Sequence, residues 1–189
     1  MVILSNNEKP FPTLLRKGFF MYFFTMNRKF SSEQKTSYTV SEATLRLEHY
    51  CAYQERSHKE VREKLKELKM IPEAIDHIIH HLIQHNYLNE TRFATAFARG
   101  KFRQKKWGKQ RIVLELKRRD ISAYNIKKAL EEIPAANYNA TFHTLAEKRW
   151  KQLASETNIQ NKKRKFVTYL QYRGWELSWI WEKYNDLTS

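Results

Sequence analysis

The residues best suited to chemistry in this chain are cations. Arg99, Lys101, Arg103, Lys105, Lys106, Lys109, Arg111, Lys117, Arg118 and Arg119 fall within 21 residues, and only Glu115 opposes them. Guanidinium groups grip carboxylates or phosphates through paired hydrogen bonds, and Lys and Arg release counterions from a polyanion. Phe102 and Trp107 interrupt the run. Phe102 reads as core. Trp107 has two uses, stacking on a base or partner side chain or bracing the turn before Gly108. Bracing is the expectation, because an aromatic beside a helix start commonly packs. A second cluster, Lys162 to Lys165, stands at a helix start, where positive charge opposes the helix dipole.

Other chemistries are thinly represented. His77, His81 and His85 are spaced i, i+4, i+8, with His80 beside them, so a metal could bridge two of them. No HExxH pattern accompanies them, and the same helix commits its Ile/Leu stripe to a core. They are expected on its polar edge, with no metal, where they make its charge sensitive to pH near neutrality. Cys51 is the single cysteine, which leaves no intramolecular disulfide and no Cys-based zinc site within this sequence. It is expected to be buried. No Walker-type or G-x-G-x-x-G loop and no nucleophile elbow occurs. Carboxylates such as Glu60, Glu63 and Glu67 sit among Lys and Arg as helix-face pairs rather than as a catalytic dyad. The expectation is a protein that is not an enzyme and carries no cofactor.

The elements that position these groups are helices. The chain has 189 residues, 35 Lys+Arg against 20 Asp+Glu, and only four Gly and four Pro. That poverty in turn formers argues against sandwiches, barrels and nucleotide-binding sheets, and favours an all-α fold. The net charge of +15 is uneven: residues 91–136 hold 13 basic and 4 acidic groups, whereas residues 39–90 hold 7 and 9. An excess concentrated in one segment points to a polyanion or an acidic protein surface as partner.

Residues 1–38 differ from the rest. Phe19 to Phe24 is an apolar run too short to span a bilayer. No small-residue cleavage site follows it, and Arg28, Lys29 and Lys35 come next. A membrane-surface anchor is one reading of it; the expectation is that residues 1–38 are an N-terminal extension, poorly ordered or an upstream mis-start, with residues 1–25 preceding a true start at Met26, in a cytoplasmic protein with no membrane partner.

From Thr39 onward the chain reads as helices. Thr39/Glu42 and Ser57/Glu60 are capping boxes, followed by Leu45, Leu47 and Tyr50, and by Val61, Leu65 and Leu68. Pro72 opens a helix with the stripe Ile75, Ile78, Ile79, Leu82, Ile83. A shift of 51 residues places Val61, Leu65, Met70, Ile75 and Ile79 on Ile112, Leu116, Ile121, Ile126 and Leu130. A further shift of 54 places Ile112, Leu116, Asp120, Ile121 and Ile126 on Phe166, Leu170, Gly174, Trp175 and Ile180. Such a period marks stacked helical units. Three three-helix repeats follow, 39–88, 89–136 and 137–189, forming an elongated array. The third is rich in aromatics, and Trp179 and Trp181, flanking Ile180, must point partly away from the core position.

The run Tyr87-Leu88-Asn89-Glu90-Thr91-Arg92-Phe93-Ala94, followed by Ala98-Arg99-Gly100-Lys101-Phe102, resembles the RecX family. So does Lys106-Trp107-Gly108-Lys109, leading to Ile112, Leu116 and the Asp120-Ile121 turn. The likeness covers roughly residues 40–185 and leaves out the first 38. It implies an all-helical tandem repeat that binds the RecA recombinase filament on single-stranded DNA. It further implies that the chain modulates, in most cases inhibits, the ATPase, strand-exchange and SOS coprotease activities in homologous recombination and DNA repair. With that partner, the expected site is Arg99, Lys101, Arg103, Lys105, Lys106, Trp107, Lys109, Arg111, Lys117, Arg118 and Arg119, in a monomer facing RecA or DNA. The alternative from the residues alone is a nucleic-acid binder, to single- or double-stranded DNA, that acts without RecA.

Overall fold

The structure, a computed structural model, describes residues 37–189. The apolar run at Phe19–Phe24 and the proposed start at Met26 lie outside the described residues. The described residues form helices with no strand: α1 (Val40–Tyr53), α2 (His58–Glu67), α3 (Pro72–Gln84), α4 (Glu90–Lys105), α5 (Lys109–Lys117), α6 (Ala123–Glu131), α7 (Ala135–Gln152), α8 (Ile159–Tyr172) and α9 (Leu177–Thr188). Close helix packing runs within α1–α3, within α4–α6 and within α7–α9, which gives three three-helix repeats.

Local sequence starts these helices. The Thr39/Glu42 and Ser57/Glu60 capping boxes both close, side chain to backbone in each direction. Pro72 opens α3, where its missing N–H costs nothing. The Asn89 side chain accepts the Arg92 N–H at 2.9 Å and starts α4.

The repeat is visible in the backbone. Lys69, Asp120 and Gly174 occupy the same place in the three units, and all are left-handed, with φ of 58°, 58° and 79°. In each unit the next N–H reaches back to the buried leucine five residues earlier: Met70 to Leu65 O, Ile121 to Leu116 O and Trp175 to Leu170 O, at 3.1–3.2 Å. Each left-handed N–H bonds the carbonyl three residues back, at Lys66, Lys117 and Gln171. This is one Schellman turn made three times. Val61, Ile112 and Phe166 are all fully buried, as are Leu65, Leu116 and Leu170.

Two stripes depart from expectation. α1 buries Ala43, Leu47 and Cys51, spaced i, i+4, i+8, and leaves Leu45 57% exposed. Two positions along a helix turn a side chain by about 200°, so Leu45 and Leu47 cannot both face the core. Ile83 is likewise 46% exposed at the edge of the α3 stripe. Trp179 packs on Tyr138 and Phe142 inside the third repeat, while Trp181 lies at the surface beside Lys163 and Tyr184.

The apolar core is divided. Helices α1–α3 enclose one cluster, and α4–α9 share a second that runs without a break through both later repeats. Repeats two and three are therefore joined by buried apolar surface. Repeat one meets repeat two mainly through polar groups: Arg92 with Glu55 at 2.6 Å, Lys59 with Asp120 at 3.2 Å, and Arg119 with Glu60 at 3.7 Å.

Candidate functional site

The basic run occupies the C-terminal half of α4, the turn after it, and α5. Its central feature is how α5 begins. Gly108 is the N-cap and has no side chain to offer the free N–H groups of the first turn. The third repeat supplies the acceptors. Tyr138 Oη accepts the Lys109 N–H at 3.0 Å, and the Gly174 carbonyl accepts the Gln110 N–H at 3.3 Å. The Gly108 N–H donates to Arg173 O at 2.8 Å. A Cβ at Gly108 would lie within 3.0 Å of the Gly174 carbonyl and the Trp175 nitrogen, and one at Gly174 would strike Arg111. Two glycines thus let two backbones meet at the seam between repeats two and three.

The same docking recurs between repeats one and two without glycine. There Ser57 holds the place of Gly108, and Lys59 on α2 donates to Arg118 O at 3.0 Å and pairs with Asp120, which holds the place of Gly174. At this turn the Lys59 side chain bridges the first seam, whereas in the second the backbones of Gly108 and Gln110 bond directly to those of Arg173 and Gly174.

Side chains sort the sequence-derived site into three groups. Arg103, Lys105, Lys106 and Lys117 are exposed, and no described carboxylate pairs with them. Arg99 is exposed but paired with Glu132 at 3.0 Å, and Arg118 is paired with Glu115 at 3.0 Å. Lys101, Trp107, Lys109, Arg111 and Arg119 are half-buried and engaged within the fold. Lys101 and Arg111 both sit over the Trp107 ring, at 5.4 and 4.5 Å, and Trp107 leans on Phe97. Lys109 lies over Tyr138 at 4.9 Å. Arg119 pairs with Glu115 at 3.0 Å and sits over Phe97. Trp107 therefore braces the turn, and Phe102 is buried.

Arg111 spans the seam. Its guanidinium lies between the rings of Trp107 and Tyr172, at 4.5 and 4.2 Å, and donates to Tyr172 O. Arg173 returns the contact by donating to Lys105 O, and Trp175 Nε1 donates to Lys106 O at 3.2 Å. Lys106 itself is left-handed, with φ of 54°, which ends α4 and exposes its ammonium. Tyr172 and Arg173 were invisible as site residues in the sequence, because they reach Arg111 and Lys105 across separations of 61 and 68 residues.

Electrostatics follow this geometry. Burial raises the Glu115 pKa, but the Arg119 hydrogen bond and the charges of Arg118, Arg119 and Arg111 outweigh it and hold the carboxyl below the usual carboxylate range. Burial, reinforced by Glu176 at 2.8 Å, pushes the Tyr138 phenol far above its ordinary value. Elsewhere, His81 Nε2 lies 2.7 Å from Glu48, and its ring lies tilted against that of His85, with centroids 4.3 Å apart. Among the described residues no three metal-ligating groups converge, and no helix is long and apolar enough to cross a membrane.

Comparison with known proteins gives this geometry a family. The model of the first three-helix domain of RecX matches residues 46–82, and that of the second matches 89–130. A regulatory protein RecX from Pelodictyon phaeoclathratiforme is 30% identical over 123 residues, 64% of this chain and 74% of that one. The chain belongs to the RecX family. A RecX from Yersinia enterocolitica is 32% identical over 116 residues, 61% of this chain and 66% of the relative. The chain spans between 31% and 63% of several other curated RecX proteins that it matches. The crystal structure of RecX from Lactobacillus salivarius superposes with a TM-score of 0.66 at 26% identity, over 79% of this chain and 96% of that one. The all-α repeat fold is thus that of RecX proteins, and the family is one of regulatory proteins.

Proposed function

We infer that this chain binds the RecA recombinase filament on single-stranded DNA and inhibits it, with repeat two, residues 89–136, presenting the contact. The observation that carries the reading is membership of the RecX family. The placement of Arg103, Lys105, Lys106 and Lys117, exposed and without a described carboxylate, supports it. A filament offers phosphates and acidic side chains together, and such cations gain most where both are present. The action is steric and electrostatic rather than catalytic. A monomer bridging adjacent recombinase subunits in the cytoplasm slows ATP turnover or blocks filament growth. Arg111 and Arg119 serve indirectly, by fixing the seam on which the exposed cations stand.

Co-sedimentation with RecA filaments tests the contact. Charge reversal at Arg103, Lys105 and Lys106 to Glu should move the protein from pellet to supernatant while leaving its helical circular dichroism intact. A folded triple variant that pellets as the unaltered protein does would remove these residues from the interface. Pelleting that requires only the DNA, with RecA omitted, would favour the alternative of direct nucleic-acid binding.

A further inference from the structure

Gly108 and Gly174 are accounted for by the backbones that meet at them; Gly100 is not. It stands in the interior of α4, where glycine weakens a helix relative to alanine. Its φ is not positive, and a Cβ there would meet nothing within 4 Å. Among the described residues, neither packing nor backbone calls for a residue without a side chain at this position. Gly100 does lie on the floor of two adjoining grooves, of about 370 and 530 Å³. Ala96, Gly100 and Gln104 line both, and their i, i+4, i+8 spacing makes them one row along α4. Arg99 and Arg103 form the next row on one side, and Phe97 and Lys101 the next row on the other. A trough between two such rows is the shape that receives the i±4 ridge of a second helix. On the Phe97 side it is walled by Gln54, Glu55 and Glu60 of repeat one. The missing Cβ at its centre lowers the floor and lets that ridge come closer.

Charge selects the occupant. Arg99, Lys101, Arg103 and Arg119 line the two grooves, against the carboxylates Glu55 and Glu60. Glu55 is paired with Arg92 and Glu60 with Arg119, so both acids are offset and the trough is left positive. We propose that this trough on α4 receives an α-helix of the filament protein, with Asp or Glu along the face laid against Gly100 and in reach of Arg99 and Arg103. The proposal rests on the reading that the partner is a RecA filament, and it puts this contact on protein rather than on DNA. Gly100 then gives up stability in the free chain for close approach in the complex.

The experiment is co-sedimentation of the full chain with RecA filaments formed on single-stranded DNA. Gly100→Ala and Gly100→Gln leave every charge in place, and both new side chains favour helix over glycine, so neither should lower Tm. Binding should nonetheless weaken as bulk is added, least for alanine and by about 5- to 150-fold for glutamine. Weaker binding by a variant that melts no lower than the unaltered chain is not a folding defect. A photoreactive benzoylphenylalanine in place of Gln104 should cross-link to a helical segment of RecA that bears Asp or Glu. Equal pelleting of the unaltered and Gly100→Gln chains, or cross-linking to the DNA alone, would overturn the proposal and leave the filament reading standing. Failure of the unaltered chain to pellet would overturn both.

Discussion

Two glycine-to-alanine changes should act in opposite directions. Gly108 and Gly174 bring two backbones together, and a methyl at Gly108 would sit within 3.0 Å of peptide atoms that cannot swing aside. The seam must open by about an ångström to reach ordinary contact. Opening it stretches three hydrogen bonds: Gly108 to Arg173, Gln110 to Gly174 and Lys109 to Tyr138. Each is worth about 1 kcal/mol net, so Gly108→Ala should cost about 2–4 kcal/mol. For a chain of this size that lowers Tm by about 4–16 °C. Gly100, in the interior of α4, has nothing within 4 Å of a Cβ and normal helical backbone. Gly100→Ala should therefore stabilise by about 0.5–1 kcal/mol, or about 1–4 °C. Thermal unfolding followed by circular dichroism measures both. A Gly108→Ala protein melting within about 2 °C of the unaltered chain would refute the argument that backbone approach locks this seam.

Repeat one should be the separable part. Arg92→Ala removes the Glu55 pair and the donors to the Asn86 and Tyr87 carbonyls, and should cost about 1–3 kcal/mol. Native-state hydrogen exchange should then quicken across α1–α3 while α4–α9 stay protected; uniform quickening would contradict the divided core. Burial holds the His58 pKa below 6.5 against the pull of Glu90, so the unfolded chain takes the proton first. Its contribution to stability is present above 6.5 and lost as pH falls toward the folded value. Between pH 7 and pH 5, roughly, His58→Gln should therefore flatten the fall in Tm. Tyr138 has the reverse sign: its raised pKa protects below 10 and is lost as pH rises past it. Tyr138→Phe should cost about 1–3 kcal/mol by stranding the Lys109 N–H and Glu176. Alkaline difference absorbance should show in the unaltered chain an ionisation that appears only on unfolding and that Tyr138→Phe lacks.

Much of the fold was legible because it depends on local rules. Thr39, Ser57, Asn89 and Pro72 each start a helix by chemistry that needs only three or four neighbouring residues. The repeat was legible because burial constrains its positions, so Leu65, Leu116 and Leu170 keep their character while the surface changes. Leu45 was misplaced for a physical reason: the small residue Ala43 fills the core position, and composition favoured the larger neighbour. The candidate site was less legible. A run of cations shows where charge lies along the chain, but not which charges are already engaged. Arg103 and Arg111 look alike in sequence, yet one is open and the other is held between Trp107 and Tyr172. That difference is made by a repeat far along the chain, where Gly174 was matched to Asp120 as a turn but not to Gly108 as a partner.

The proposed function has the exposed cations of the second repeat let this chain restrain a RecA filament. Single-stranded-DNA-dependent ATP hydrolysis by RecA, titrated with the chain at substoichiometric amounts, tests it most directly. Inhibition is expected at ratios too low to coat the DNA, and it should be lost when Arg103, Lys105 and Lys106 are all changed to Glu. Undiminished ATP hydrolysis in the presence of the folded, unaltered chain would contradict it.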